Sequence, residues 1–250
     1  MALQLPKSQV VETPAVVAEA PSIVELVKLS KSIDGRKILT DVSVAVPAKQ
    51  TLAVLGANGS GKSTLLKLIA TLIPPTAGRV RLFGEEASGS SVHLRSRIGI
   101  IGHQSMLYRD LSARENLEFF AKLYAVENPV RRARQMLDMI GLGARANDPV
   151  RNFSRGMVQR VAIARALIHE PELILADEPF AGLDAPSIDA LEQLLGQLRE
   201  SGKTIIIVNH DIDQSLRIAE HAIILRGGRV VLNQPTLRLY PREVRSEVQS

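Results

Sequence analysis

Cysteine and tryptophan are both absent from the 250 residues, and aromatic residues make up only 3% of them. The lack of cysteine excludes disulfides, thiolate catalysis, zinc knuckles and cysteine-attached haem, and it suits a reducing compartment such as the cytoplasm. So few aromatics leave little on which to stack unpaired bases, which argues against a single-stranded nucleic-acid binder. No uncharged apolar run approaches the roughly 18 to 20 residues a membrane helix requires, so the chain is not expected to cross a bilayer by itself. Met1 to Val17 carries one early Lys7, and its apolar stretch is cut by Glu12 and Pro14, which is not the pattern of a signal peptide.

With 45% hydrophobic and 23% charged residues, the chain can bury an ordinary core in one large or two small domains. Lys plus Arg number 31 against 26 Asp plus Glu, giving +5 and a pI near 9.7. That balance suits an anionic partner, and equally a soluble surface rich in Arg. Residues 1–21 show no helical or strand period and read as an arm. Short β runs follow at Ile23 to Leu29, Val42 to Val46 and Thr51 to Leu55.

A helix is expected over Ser63 to Leu72, stopped by Pro74 and Pro75, with strands at Arg79 to Phe83 and Arg97 to Ile101. Ser112 and Glu115 form a capping box ahead of Leu117, Phe120, Ala121 and Tyr124, and Val130, Ala133, Leu137 and Ile140 mark a second amphipathic helix. Residues from about 105 to 160 therefore read as a helical insert. Beyond it strand and helix alternate again: Leu173 to Ala176, Ser187 to Arg199 and Thr204 to Val208. Ala222 to Leu225 and Arg229 to Leu232 close as a hairpin, and 236–250 read as a short tail. Alternating strands and helices imply a mainly parallel α/β sheet.

Gly56-Ala57-Asn58-Gly59-Ser60-Gly61-Lys62-Ser63-Thr64 fits G-x-x-x-x-G-K-[ST] between a strand and a helix. The glycines let backbone N–H groups curl around a polyphosphate, Lys62 reaches the β and γ phosphates, and Ser63 can ligate Mg²⁺. Leu173 to Ala176 delivers Asp177 and Glu178 to the carboxyl edge of the sheet, where open α/β folds bind ligands. Asp177 is placed to hold Mg²⁺ and Glu178 to act as general base toward water. Phe153-Ser154-Arg155-Gly156-Met157 opens a further helix with Ser154 as N-cap, a second candidate anion site.

These motifs in this order resemble the ATP-binding subunit of an ABC transporter from about Ile23 to about Leu232. The resemblance implies a P-loop NTPase of ABC type with an N-terminal antiparallel β subdomain, spanning 22–235. It further implies a Mg²⁺-dependent ATPase at the cytoplasmic face of the inner membrane, peripheral, held there by an integral permease. ATP would be sandwiched between this chain and a second copy or related subunit, with no nucleic acid involved. Ser154 and Gly156 match the family's Leu-Ser-Gly-Gly-Gln and would contact the partner's γ-phosphate. Phe153, Arg155 and Met157 depart, so no role carries over from the terminal Gln.

By the same resemblance Gln104 is the Q-loop residue near Mg²⁺ and the attacking water. Asp184, in Ala181-Gly182-Leu183-Asp184, would bridge the subunits, and His210, in Asn209-His210-Asp211, would contact the γ-phosphate. Ile33 stands where the family usually stacks an aromatic on adenine. His93, His103, His169 and His221 lack metal spacing and read as structural or surface residues.

Gly102 to Tyr108, Leu111 to Leu117, Phe119 to Tyr124 and Phe153 to Met157 are similar to the haem exporter subunit of cytochrome c maturation. Drug, lipid and polysaccharide exporters share much of that stretch. ABC-type ATPases acting on DNA or ribosomes form another class, for which the Arg131, Arg132 and Arg134 cluster is the only hint, and that cluster fits a solvated helix face better. A non-hydrolysing regulator would have no use for Glu178 as a base.

Overall fold

The computed structural model describes residues 22–88, 91–102 and 104–249. The arm over 1–21 and His103 lie outside them. In chain order the elements are β1 (Ser22–Ile33), β2 (Arg36–Pro47), β3 (Thr51–Leu55), α1 (Lys62–Ile69), β4 (Ala77–Leu82), β5 (Glu85–Glu86), α2 (Val92–Arg95) and β6 (Ile98–Ile101). Helices α3 (Ala113–Leu123), α4 (Pro129–Met139) and α5 (Arg155–Leu167) follow, and then β7 (Leu173–Asp177), α6 (Ala185–Glu200) and β8 (Thr204–Val208). The chain ends through α7 (Ile212–Ile218), β9 (His221–Arg226), β10 (Arg229–Pro235) and α8 (Pro241–Gln249).

Two sheets result. One is antiparallel, ordered β2-β1-β4-β5, and the other is ordered β10-β9-β3-β8-β7-β6. In the second sheet β9, β3, β8, β7 and β6 run parallel, and only β10 pairs antiparallel. The parallel strands are apolar on both faces because successive side chains point opposite ways and each face is covered. Ala53, Leu55, Ile205 and Ile207 enter one core with α3 to α6, while Leu52, Val54, Ile206 and Val208 enter another with α1 and the antiparallel sheet.

Local chemistry fixes the helix starts. Ser112 Oγ accepts from the Glu115 N–H at 3.2 Å, and the Glu115 carboxylate accepts from the Ser112 N–H at 2.8 Å, a complete capping box on α3. Ser154 caps α5 by accepting from the Met157 N–H at 3.3 Å. The other end of α5 is satisfied from a distance: Arg132 Nε and an Arg132 terminal nitrogen donate to the carbonyls of Ile168 (2.9 Å) and Leu167 (3.1 Å). This corrects the expectation of a uniformly solvated Arg face on α4, since Arg131 and Arg134 are exposed while Arg132 is folded inward.

Strand β6 ends the sheet, yet its outward carbonyls are covered. Arg165, 7% exposed, donates to Ile100 O at 2.6 Å, and His169 Nε2 pairs with Ile98 O at 3.0 Å. The His169 ring stacks on Tyr124 with centroids 3.9 Å apart, in keeping with its reading as a structural histidine. Within the stretch read as a short tail, α8 packs through the fully buried Val244 and is tied by Arg245 to Asp213 and by Arg226 to Glu247. Among the described residues no helix is long and apolar enough to cross a membrane.

Candidate functional site

Strand β3 runs straight into the Gly-rich loop, and α1 starts at Lys62 with Gly61 as its N-cap in the left-handed region. Gly56 has φ of 146°, and a Cβ there would lie 2.3 Å from Leu225 O and 2.7 Å from Ser60 Oγ. The loop is thus pressed against β9, and only glycine fits. Lys62 Nζ donates to the carbonyls of Gly56 at 2.7 Å and Ala57 at 2.9 Å, so its ammonium sits inside the curl of the loop. Burial pushes the Lys62 pKa below the ordinary lysine value, opposed by the Glu178 and Asp177 carboxylates.

The acidic strand lies within reach. Ser63 Oγ donates to Asp177 Oδ1 at 3.3 Å, joining the first turn of α1 to the end of β7. Glu178 follows with φ of 52°. Its N–H donates to Val208 O at 2.9 Å, which pins it to the end of β8. From the next turn of chain, His210 Nε2 meets Glu178 Oε1 at 2.6 Å. Lys62, Ser63, Asp177, Glu178 and His210 therefore converge at the carboxyl ends of β3, β7 and β8, where open α/β sheets bind ligands.

A hydroxyl beside a carboxylate is the oxygen donor set a hard divalent cation prefers, so Ser63 and Asp177 fit Mg²⁺. No cluster of three or more His, Cys, Asp or Glu able to hold a metal occurs among the described residues.

Gln104 is exposed and belongs to the loop after β6. Its neighbours Gly102 and Ser105 line a cleft of about 220 Å³ together with Arg155, Gln159 and Glu178. Of the signature stretch, Arg155 lines this cleft. A Cβ on Gly156 would lie 3.0 Å from Ser187 Oγ, and a Cβ on Gly182 would strike the Arg155 guanidinium. Gln159 Nε2 donates to Pro179 O at 3.0 Å. Among the described residues no hydrogen bond joins Ser154 or Gly156 to the Lys62 loop. Asp184 caps α6 by accepting from the Ser187 N–H at 3.2 Å, and hydrogen bonding from the Ser187 side chain, with this N–H, holds its carboxyl below the usual range.

Ile33, 43% exposed, stands at the tip of the β1–β2 hairpin where Ile33 pairs with Arg36. An aliphatic side chain there offers no π face to a base. Ile33→Tyr is expected to tighten ATP binding by about 1 to 3 kcal/mol and to sharpen ATP over GTP, measured by titration of both nucleotides. Equal affinities of parent and variant would remove Ile33 from the base-binding set.

Two residues that matter here carry no sequence signal. Asn116 is fully buried, accepting from the Tyr108 N–H at 2.8 Å and donating to Tyr108 O at 2.9 Å, so it moors the Gln104 loop to α3. Arg145 reaches two of the three departures from the family signature, lying 5.2 Å from the Phe153 ring centre and 3.5 Å from Met157 Sδ.

The family profile described as ABC transporter matches residues 39–181. The chain is 35% identical over 214 residues to the ABC transporter ATP-binding protein NatA of Bacillus subtilis (strain 168), covering 84% of this chain and 87% of that protein. It is 34% identical over 212 residues to the Nod factor export ATP-binding protein I of Cupriavidus pinatubonensis, with 84% of this chain and 65% of that protein covered. The taurine import ATP-binding protein TauB of Pelagibacter ubique is 36% identical over 198 residues, 77% of this chain and 73% of its own. Among solved structures, cbiO1 from Clostridium perfringens, part of the ABC transporter complex cbiONQ, superposes with a TM-score of 0.80 at 29% identity over 90% of this chain and 91% of that one. By sequence and by fold, the chain belongs to the ABC transporter family as an ATP-binding subunit.

Proposed function

We propose that this chain hydrolyses ATP with Mg²⁺ to drive an exporter, its own residues dividing the work as follows. The observation that carries the reading is the convergence of Lys62, Ser63 and Asp177 with the Glu178–His210 pair, joined by contacts of 3.3 Å and 2.6 Å. Lys62 and the loop amides from Gly56 to Thr64 hold the polyphosphate. Ser63, Asp177 and Gln104 would hold Mg²⁺, which when bound neutralises charge on the phosphate oxygens. Glu178 takes the proton of a water whose oxygen bonds to the γ phosphorus as the bond to the β–γ bridging oxygen breaks, releasing ADP and phosphate. His210 orients the Glu178 carboxylate and faces the γ-phosphate side. Ser154, Gly156 and Asp184 serve a second copy or a related subunit.

The cargo reading is the haem exporter of cytochrome c maturation, supported by the similarity of residues 102–108, 111–117, 119–124 and 153–157 to that subunit. A second reading, export of another cargo, is favoured by the relative named for Nod factor export, while the taurine import relative shows that family likeness alone does not set direction. In either case an integral permease places the chain at the cytoplasmic face of the membrane.

The deciding experiment recovers the chain from gently solubilised native membranes, identifies its integral partners and assays Mg·ATP hydrolysis of the complex. Recovery with haem-handling cytochrome-assembly proteins is the expected result. An unrelated permease would discard the haem cargo and keep the ATPase. A ribosome or DNA partner without any membrane protein would overturn the transport role.

A further inference from the structure

His210 is held from behind by two buried amides, Asn209 of its own motif and Gln214, which belongs to none of the motifs above. Gln214, on α7, is 5% exposed and engaged at both ends of its side chain. Its Oε1 accepts from Asn209 Nδ2 at 2.8 Å, and its Nε2 donates to Glu192 Oε1 at 2.8 Å. Asn209, itself 8% exposed, turns its Oδ1 to accept the His210 N–H at 2.9 Å. On α6, Glu192 also accepts from Arg217 at 3.0 Å, so its carboxylate is fixed by two donors. The line Glu192, Gln214, Asn209, His210 thus ends at the imidazole that meets Glu178.

We infer that Gln214 is a positioning residue for ATP hydrolysis: by bracing Asn209 against Glu192 it sets the His210 backbone, and through it the contact of His210 with Glu178. This rests on the reading above that Glu178 and His210 serve the hydrolysis of ATP. Chemistry explains the residue type. The position requires an acceptor toward Asn209 and a donor toward Glu192 on one side chain, which glutamine supplies and glutamate does not. Buried polar groups of this kind lose heavily when one partner is removed, because the group left behind has no water to turn to.

The line also closes a loop in the molecule. Glu178 is followed by the turn that ends at Asp184, the cap of α6, and α6 carries Glu192. Covalently through that turn, and non-covalently through Gln214 and Asn209, the carboxylate and the imidazole share one support. A shift of α6 relative to β7 is therefore transmitted to His210 as well as to Glu178.

The test exchanges donor and acceptor. Gln214→Glu keeps the acceptor toward Asn209 but sets two carboxylates face to face. Adding Glu192→Gln restores the bond between the two side chains, the new amide donating to the new carboxylate, while the Arg217 nitrogen, which shares Glu192 Oε1 with Gln214, turns to solvent. In the full chain, Gln214→Glu is expected to lower kcat about tenfold or more while KM for ATP stays within about twofold, and the double variant to recover to within about threefold of wild type. Hydrogen exchange at the His210 amide should quicken in the single variant and slow again in the double, with melting temperature showing that both are folded.

Wild-type kcat and exchange in Gln214→Glu would overturn the inference. So would a loss that Glu192→Gln does not repair, which would mark simple damage to the core. A wild-type protein without turnover, or Glu178→Gln with full turnover, would overturn the hydrolysis reading and with it any catalytic use of Gln214. The exchange measurement would still read, separately, whether Gln214 fixes the His210 backbone.

Discussion

Glu178→Gln is expected to bind Mg·ATP as the parent does and to lose turnover by about 10²- to 10⁴-fold, the usual worth of a positioned general base. The substitution is nearly isosteric. Glu178 holds its left-handed backbone through the N–H to Val208 O at 2.9 Å, a bond the side chain does not affect. The amide oxygen of glutamine can still meet His210 Nε2, so the geometry at 2.6 Å is preserved while the proton acceptor is lost. Because the nucleotide would be held and not cleaved, the variant should also accumulate as a dimer with Mg·ATP. Single-turnover kinetics and size-exclusion chromatography with and without Mg·ATP measure both. Turnover close to the parent's would remove Glu178 from the chemistry, and a monomer at saturating Mg·ATP would count against the sandwich.

Gly56→Ala should be the most damaging single-methyl change in the phosphate loop. The new Cβ would lie 2.3 Å from Leu225 O, a backbone atom of β9, and 2.7 Å from Ser60 Oγ. Ser60 can rotate away. Leu225 cannot, because β9 is paired on one side with β3 and on the other with β10, where Leu225 faces Val230. The loop must move instead, at a cost of about 3 kcal/mol from crowding together with a disfavoured φ. That movement displaces the amides that would face the phosphates, so ATP affinity is expected to fall by about 100-fold or more, read by nucleotide titration alongside urea unfolding. Gly59→Ala is the informative companion. A Cβ at Gly59 meets nothing within 4 Å, and only the φ of 77° opposes it, worth about 1 to 2 kcal/mol. Equal losses for the two variants would show that φ alone, not the approach to β9, makes Gly56 necessary.

How much of this was legible in the sequence depended on whether the cause was local. The run Thr204–Val208 is a strand with the bounds its β-branched residues predict, and the Ser112–Glu115 box caps its helix as spacing requires. The phosphate loop and the acidic strand end were legible for the same reason, since strand, turn glycines and helix start are neighbours in the chain. Helix α8 was not, because its packing rests on Val244 and Val248 and on Arg245–Asp213 and Arg226–Glu247, contacts between distant segments. Arg132 misled because helical periodicity assigns it a face but not the carbonyls at the end of another helix. Gln214 escaped notice because an isolated Gln has no motif, and its meaning lies in Glu192 and Asn209 on either side. The cleft beside Glu178 mixes polar Ser105, Arg155 and Gln159 with apolar Val158 and Ala181, side chains that specify no one cargo.

The two side-chain donors on β6 have a consequence for how copies of this chain can meet. A sheet that ends in unpaired carbonyls invites another strand, and such zippered contacts are long-lived and slow to part. Here the guanidinium of Arg165 and the imidazole of His169 already occupy Ile100 O and Ile98 O from within the core. An incoming strand would have to expel both, forfeiting about 1 kcal/mol for each bond and burying a guanidinium without a partner. Lateral growth of the sheet is blocked at that rim. Association at that rim is left to the side chains of α5 and its loops, contacts that part more readily than a shared backbone ladder.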